Sequence, residues 1–511
     1  MKLRNIFLAA IAGAITVSLC ACDSGEQQAE NNTLSYWVTL ESNAAMSVSN
    51  YGETPFAQEL QKRTGITIDY QHPPQGKQVE KFNILVATDD LPDIIEFSWT
   101  VDYPGGPEKA IEDGVIQALD FEKYAPNLYK YLQENPDVDK LIKTDSGKYF
   151  GFPFIRGDKT LQTSAGIMIR KDWLDELGLE VPETISEWDT VLKAFKEQKG
   201  AQYPIMFNLS HATWGAFVGA YGTIDGLYVD DGEIKYGVME PGFKDYIAKM
   251  NEWYNNGYIA ADFASMDSKN TDAAIVNGDS GAATGSVGSG MGRWTSSATE
   301  EGFELVAAPY PTLNKGELPE FGQVQLKAAG TYSAVTTSCE DVELACKLLD
   351  YGYSEEGEML YNFGIEGESY EMIDGYPTYT ELITNNPDGL SMSAALARYA
   401  QSYNSGPFVQ DKRYMEQYAS LPQQKEAIEI WSNTNVEEHI LPTTYMTVEE
   451  SADLSKKISS IQTYKDEMLL KFIMGIEPME NWDAFTAELE NRGVNEYIQC
   501  TQEAYERYLN R

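Results

Sequence analysis

The sequence predicts an α/β protein, on three observations: short β-type runs alternate with amphipathic helices, the spacing is that of strand–helix–strand units, and the chain turns helix-rich toward its end. Leu34–Leu40 reads as the first strand. Pro55 to Arg63 reads as a helix closed by Gly65, and Ile66–Tyr70 as the second strand. Phe82 to Ala87 is helical, and Leu91–Phe97 leads into a third strand. This order calls for parallel pairing through right-handed crossovers. Thr184-Ile185-Ser186-Glu187 is a capping box that opens a helix to about Lys199. Ala307–Pro311 reads as a strand end entering a loop. Ser338 is the expected N-cap of a helix over 339–353, and Ser354 that of the next. From about Gly242, and above all after residue 410, helices dominate; no internal repeat is visible.

The first residues are a processing signal rather than structure. Met1-Lys2-Leu3-Arg4 is basic, and Ile6–Ile15 is apolar but too short to span a bilayer. Leu19-Cys20-Ala21-Cys22 places a small residue just before a cysteine and an aliphatic one three before it, the order of a bacterial lipobox. Lipid transfer to the Cys22 thiol and cleavage before it remove residues 1–21; an ordinary signal peptide with incidental cysteines is the competing reading. Residues 22–33, from the acylated cysteine through a Ser, Gly, Glu, Gln and Asn stretch, form a flexible tether that builds no core.

Composition narrows the function. The chain has 511 residues, enough for two or three packed domains, and a formal net charge of −41; loss of Lys2 and Arg4 with the leader makes it more negative. Such a surface repels nucleic acid and anionic lipid. With Cys22 acylated, Cys339, Cys346 and Cys500 remain, and Cys339 and Cys346 read as buried thiols rather than a bridge. His72, His211 and His439 lie far apart with no metal-ligand spacing. The chain has no Gly-x-Ser-x-Gly, His-Glu-x-x-His or Gly-Lys-Ser/Thr motif, so no enzyme class is indicated, and a glycosidase's carboxylate pair cannot be chosen among 79 acids. A glycan adhesin is the other rival, but adhesins are more often repetitive or sandwich-like than α/β.

The lipobox, the polar tether, Tyr36-Trp37-Val38 and Leu91-Pro92-Asp93-Ile94 together resemble the extracellular solute-binding lipoproteins of ATP-driven sugar importers, the family 1 solute-binding proteins. Tyr103–Ala110 with Ile111-Glu112-Asp113-Gly114, Thr144–Tyr149, Ile169–Leu174 running to Leu179, Lys471–Gly475 and Ala504–Tyr508 are similar to the LplA/LipO-like branch of low-GC Gram-positive bacteria. The resemblance covers essentially all of the chain after the tether. It implies a two-lobed, type II periplasmic-binding-protein-like fold with the ligand cleft between the lobes. On that basis residues 34–155 and 303–338 are expected in lobe 1, and 156–302 and 339–511 in lobe 2. It also implies a monomer without cofactor, tethered outside the cell, that passes a small solute, a sugar, to two permease subunits and an ATPase. A peptide or another small solute stays open. Relatives similar to alginate-binding proteins carry a calcium loop after the helix near Trp188; Glu197–Gln202 here has too few oxygen ligands, so no calcium is expected.

A sugar asks for aromatic platforms and convergent polar groups, in loops at the carboxyl ends of strands. Glu41-Ser42-Asn43, Ser98–Asp102, Phe154–Asp158, His211–Trp214, Gly292–Trp294 and Thr331-Tyr332 are such loops. From them Trp99, Arg156, Trp214, Arg293, Trp294, Tyr332 and, in the Pro442–Thr447 loop, Tyr445 are the ligand-binding candidates. Trp99 and Trp214 fit a core position equally well, Arg156 fits a salt bridge with Asp158, and Arg156, Lys159 and Arg293 permit an acidic sugar without demanding one. Trp37, Trp173, Trp188 and Trp253 read as core.

Overall fold

The computed structural model describes residues 32–401 and 405–511, so the leader, Cys22 and most of the tether lie outside it. Fourteen strands are present among these residues: β1 Thr33–Trp37, β2 Thr67–Gln71, β3 Ile94–Phe97, β4 Phe152–Arg156, β5 Ala165–Arg170, β6 Tyr203–Met206, β7 Leu227–Asp230, β8 Glu233–Tyr236, β9 Ser280–Ser286, β10 Leu305–Ala308, β11 Ala328–Val335, β12 Tyr370–Ile373, β13 Tyr376–Tyr379 and β14 Phe408–Gln410. Two sheets organise them. The first has the order β14-β4-β11-β3-β1-β2 and the second β10-β5-β9-β6; β7–β8 and β12–β13 are separate hairpins.

In the first sheet β1 is parallel to β2 and β3, as the strand–helix–strand spacing predicts, and β14 is parallel to β4. β11 runs antiparallel between β3 and β4. Thr54 caps the helix Pro55–Thr64, whose first-turn proline needs no hydrogen-bond acceptor, and Gly65 ends it at φ +71°, where a side chain would be strained. The expected capping box is present: Thr184 accepts from the Glu187 N–H, and the Glu187 carboxylate accepts from the Thr184 N–H. The helix expected from Ser338 starts later. It spans Val342–Asp350, and Asp341 caps it by accepting from the Leu344 N–H at 2.9 Å. Ser354 caps the following helix as expected.

The Gly-, Ser- and Ala-rich stretch that begins at Ser280 is largely strand β9, in the middle of the second sheet between β5 and β6. Its small residues make room for aromatic rings on the face above. A Cβ on Gly281 would stand 2.2 Å from the Phe195 ring and 2.8 Å from that of Trp173. The chain then makes a π-helical turn, Val287–Gly292, before the short helix Arg293–Ser297.

Each sheet carries its own core. Ile94, Phe97, Trp37, Phe152 and Phe154 belong to the first, and Met168, Trp173, Trp188, Trp253 and Ala282 to the second, so the four tryptophans read as core are core. Pairing divides the chain differently from the expected boundaries. β10, expected in lobe 1, pairs antiparallel with β5; β14, expected in lobe 2, pairs with β4, and the helix Val342–Asp350 packs Ala345, Cys346, Leu348 and Leu349 into the first sheet's core. The chain passes between the sheets after β4, again between β10 and β11, and again after β14.

The C-terminal helices Val448–Ile473, Trp482–Asn491 and Val494–Leu509 pack mainly on the second core through Ile461, Leu469, Phe472, Phe485 and Val494. The last residues return to the first: Arg511 donates to Asp145 at 2.7 Å and Lys140 to the Leu509 carbonyl at 2.9 Å. Among the described residues no helix is long and apolar enough to cross a membrane.

Candidate functional site

The first two passages between the sheets are laced together. The Gln325 N–H donates to the Gln162 carbonyl at 2.9 Å, and the Ser164 N–H to the Gln323 side chain at 2.8 Å. Tyr310 ties them further, its hydroxyl donating to the Ala165 carbonyl at 2.9 Å and accepting from the Gln323 N–H at 3.0 Å. Against this floor lies a cavity of about 340 Å³ that both sheets and all three passages line.

From the first sheet's side come Glu41 and Asn43, in the loop that follows β1, and Tyr51. The Glu41 carboxylate caps the turn by accepting from the Asn43 N–H at 2.8 Å, while its own N–H donates to the Tyr51 hydroxyl at 3.1 Å. Ser286, the last residue of β9, and Ser289, in the π-helical turn after it, bring their hydroxyls 2.6 Å apart. The passages contribute Ser164, Gln325 and Gln410. Tyr414 and Tyr418 sit four apart on the helix Lys412–Tyr418, on one face, with ring centroids 5.6 Å apart. Leu396, Ala397 and Ala400, from the helix Met392–Tyr399 and its end, close the apolar side. Burial raises the Tyr418 hydroxyl's pKa. The cavity therefore offers rings, hydroxyls and amides. It offers neither an activated nucleophile nor a carboxylate pair, and among the described residues no group of three or more His, Cys, Asp and Glu side chains is placed to hold a metal.

Of the seven residues singled out in the sequence, none lines this cavity. Trp99 is fully buried among Phe82, Phe97 and Tyr103, and its indole N–H donates to the Tyr332 carbonyl at 3.0 Å. Tyr332 is equally buried, beside Phe150. Both are core because β3 and β11 are inner strands covered by helices. Arg156 donates to the Leu326 carbonyl and lies over the Phe154 ring; burial pulls its guanidinium down to about 10. Trp294 is buried, and it and Arg293 share Asp272, each at 2.7 Å, on the outer side of the second sheet. Tyr445 is buried under the Arg511 guanidinium, 4.6 Å from its ring. Trp214 alone keeps an accessible ring. It stacks on His211 at 4.1 Å and lines a smaller cavity of about 190 Å³ with Phe321 and His439. Gln325 faces the larger cavity, whereas its neighbours Val324 and Leu326 line the smaller. Cys339 and Cys346 are buried and unbridged.

The loop Glu41-Ser42-Asn43, one of the candidate loops of the sequence, supplies Glu41 and Asn43 to this cavity; Tyr51, Tyr414 and Tyr418, which also line it, were not among the candidates. The signal for the last two was their helical spacing beside Gln410 and Gln417 in a stretch of mixed polarity.

The cavity thus lies between two sheets that three passages join. The family profile described as bacterial extracellular solute-binding protein matches residues 48–359. The chain belongs to this family. Binding, not turnover, is therefore its chemistry. It is 27% identical over 383 residues to lipoprotein LipO of Bacillus subtilis strain 168, covering 71% of this chain and 72% of that protein. It is 23% identical to the fructooligosaccharide ABC transporter substrate-binding protein FusA of Streptococcus pneumoniae, over 94% of this chain and 91% of that one. Among solved structures, the alginate-binding protein AlgQ2 matches with a TM-score of 0.71 at 23% identity, over 93% of this chain and 98% of the other, which establishes the two-domain fold.

Proposed function

We propose that this solute-binding protein captures a carbohydrate in the cavity between its sheets and presents it to the permease subunits of an ATP-driven importer. The observation that carries this is the lining: tyrosine rings beside serine hydroxyls and glutamine amides, supplied by both sheets at once. Rings cover the C–H faces of a sugar while hydroxyls and amides exchange hydrogen bonds with its edges. FusA and AlgQ2, whose names give a fructooligosaccharide and alginate, support the ligand class.

In this reading lobe 1 is the unit around the first sheet, residues 33–156 and 328–410, and lobe 2 that around the second, 165–308 with the helices after 421. The intervening passages are the hinge. Ligand bridges the lobes and holds them closed, and the closed form is what the permease recognises. Lipid on Cys22 keeps the protein, as a monomer, at the outer face of the membrane.

A thermal-shift screen of residues 34–511 against mono- and oligosaccharides tests the ligand class. One carbohydrate family is expected to raise the melting temperature, by about 2.7 kcal/mol of stabilisation at a hundredfold excess over its Kd. A screen in which peptides shift the protein and no carbohydrate does overturns it. Small-angle scattering at saturating ligand reads closure as compaction. Cys22→Ala, expressed in cells, is expected to release the protein into the medium; retention of the variant on membranes overturns the anchor.

A further inference from the structure

We propose that the cavity selects uncharged saccharides and rejects uronates, with Glu41 as the discriminating group; this rests on the reading that the cavity holds a carbohydrate. Glu41 is the one charged side chain among the described residues that line it. The rest of the described polar lining is hydroxyl and carboxamide. A uronate entering such a space leaves water without meeting a cation and faces a carboxylate of its own sign.

The cations on the surrounding elements are committed elsewhere. Arg156, at the end of β4, donates to the Leu326 carbonyl over the Phe154 ring. Lys159 pairs with Glu437 at 2.8 Å and Lys412 with Asp158 at 3.5 Å. Arg413 holds Asp411, Arg293 holds Asp272 at 2.7 Å, and Arg398 faces Asp388 at 3.8 Å. Of the residues that would have suited an acidic sugar, Lys159 and Arg293 thus answer acids of this chain, and Arg156 a backbone carbonyl.

Glu41 has capacity to spare. One oxygen accepts from the Asn43 N–H at 2.8 Å and the other from the Ser42 hydroxyl at 3.3 Å, which leaves acceptor positions on a carboxylate that faces the cavity. A carboxylate takes neighbouring hydroxyls as charge-assisted donors, while Ser286, Ser289, Gln325 and Gln410 can donate in return. Attraction to a neutral polyol and repulsion of an acid come from the same group.

The test is calorimetric titration of residues 34–511 with neutral oligosaccharides (fructo-, malto- and milk-type) and with oligogalacturonates and alginate oligomers. The wild type is expected to bind a neutral saccharide and to bind every uronate at least about a hundredfold more weakly. Glu41→Asn removes the charge and keeps a capping side chain, so its melting temperature stays near wild type. Its neutral ligand should weaken about tenfold. Adding Ser289→Arg at that exposed position to Glu41→Asn should bring uronate binding into the measurable range. Uronate binding by the wild type as tight as that of any neutral saccharide overturns the selectivity and leaves the carbohydrate reading intact. Unchanged neutral affinity in folded Glu41→Asn overturns the role of Glu41. Binding of neither class by folded wild type refutes the carbohydrate reading and this inference together.

Discussion

The ring of Tyr418 rests on the backbone of Gly288: a Cβ at that glycine would stand 2.8 Å from Tyr418 Cε1 and 3.1 Å from its hydroxyl oxygen. The contact joins the third passage to the end of β9 across the cavity, so the glycine positions the ring. Gly288→Ala is expected to push Tyr418 aside and weaken ligand binding about tenfold, roughly 1.4 kcal/mol, with little change in melting temperature. Tyr418→Ala should cost at least as much affinity. Calorimetry beside a thermal melt reads both.

Trp99 behaves oppositely. Trp99→Ala empties a packed space between Phe82, Phe97 and Tyr103 and leaves the Tyr332 carbonyl without its donor. The expected loss is about 3–5 kcal/mol of folding stability, read by urea titration. The fraction that remains folded at low temperature should bind ligand as the wild type does. Loss of affinity with unchanged stability would return Trp99 to the binding site.

The contrast between these two residues shows how far the sequence could be read. Alternation of strands and helices, the stop at Gly65 and the box at Thr184 are local signals, and the structure keeps each of them. The pairing of β14 with β4, across some 250 residues, and of β10 with β5 rather than with the first sheet has no local signature, so the sequence could not assign these strands to their sheets. The aromatic candidates fall outside the cavity for a related reason. A tryptophan just after a strand suits a cleft mouth or a lobe core equally, and here the indole of Trp99 finds a buried acceptor, the Tyr332 carbonyl, within the protein. The cavity instead is lined by Tyr51, Tyr414 and Tyr418, whose hydroxyls fit a polar wall.

Asp225 and Lys465 form an ion pair buried on both sides, with Lys465 Nζ 2.6 and 2.7 Å from the two carboxylate oxygens. It fixes the long helix Val448–Ile473 to the second sheet's unit. Lys465→Met strands the carboxylate in an apolar surround and should cost about 3–5 kcal/mol. Adding Asp225→Asn should recover much of that loss in a double-mutant cycle, because the stranded charge is gone. Simple additivity of the two single losses would show that the pair is not coupled.

His211 should make the protein acid-sensitive before its carboxylates titrate. Its Nδ1 meets the Thr284 hydroxyl, its ring stacks on Trp214, and burial pulls its pKa down to about 4. In the unfolded chain the same imidazole titrates near 6.5. Above about pH 7 neither state binds the proton and His211 contributes nothing to pH dependence. Between about 6.5 and 4 the unfolded state takes a proton that the native state refuses, so stability falls with pH at up to about 1.4 kcal/mol per unit. His72, lowered by its own burial, adds in the same direction. His211→Gln, which retains a group able to hydrogen bond with Thr284, is therefore expected to flatten the decline between pH 7 and 5 in urea titrations. Identical slopes for wild type and variant would mean that His211 is protonated as readily in the folded protein as in the unfolded one.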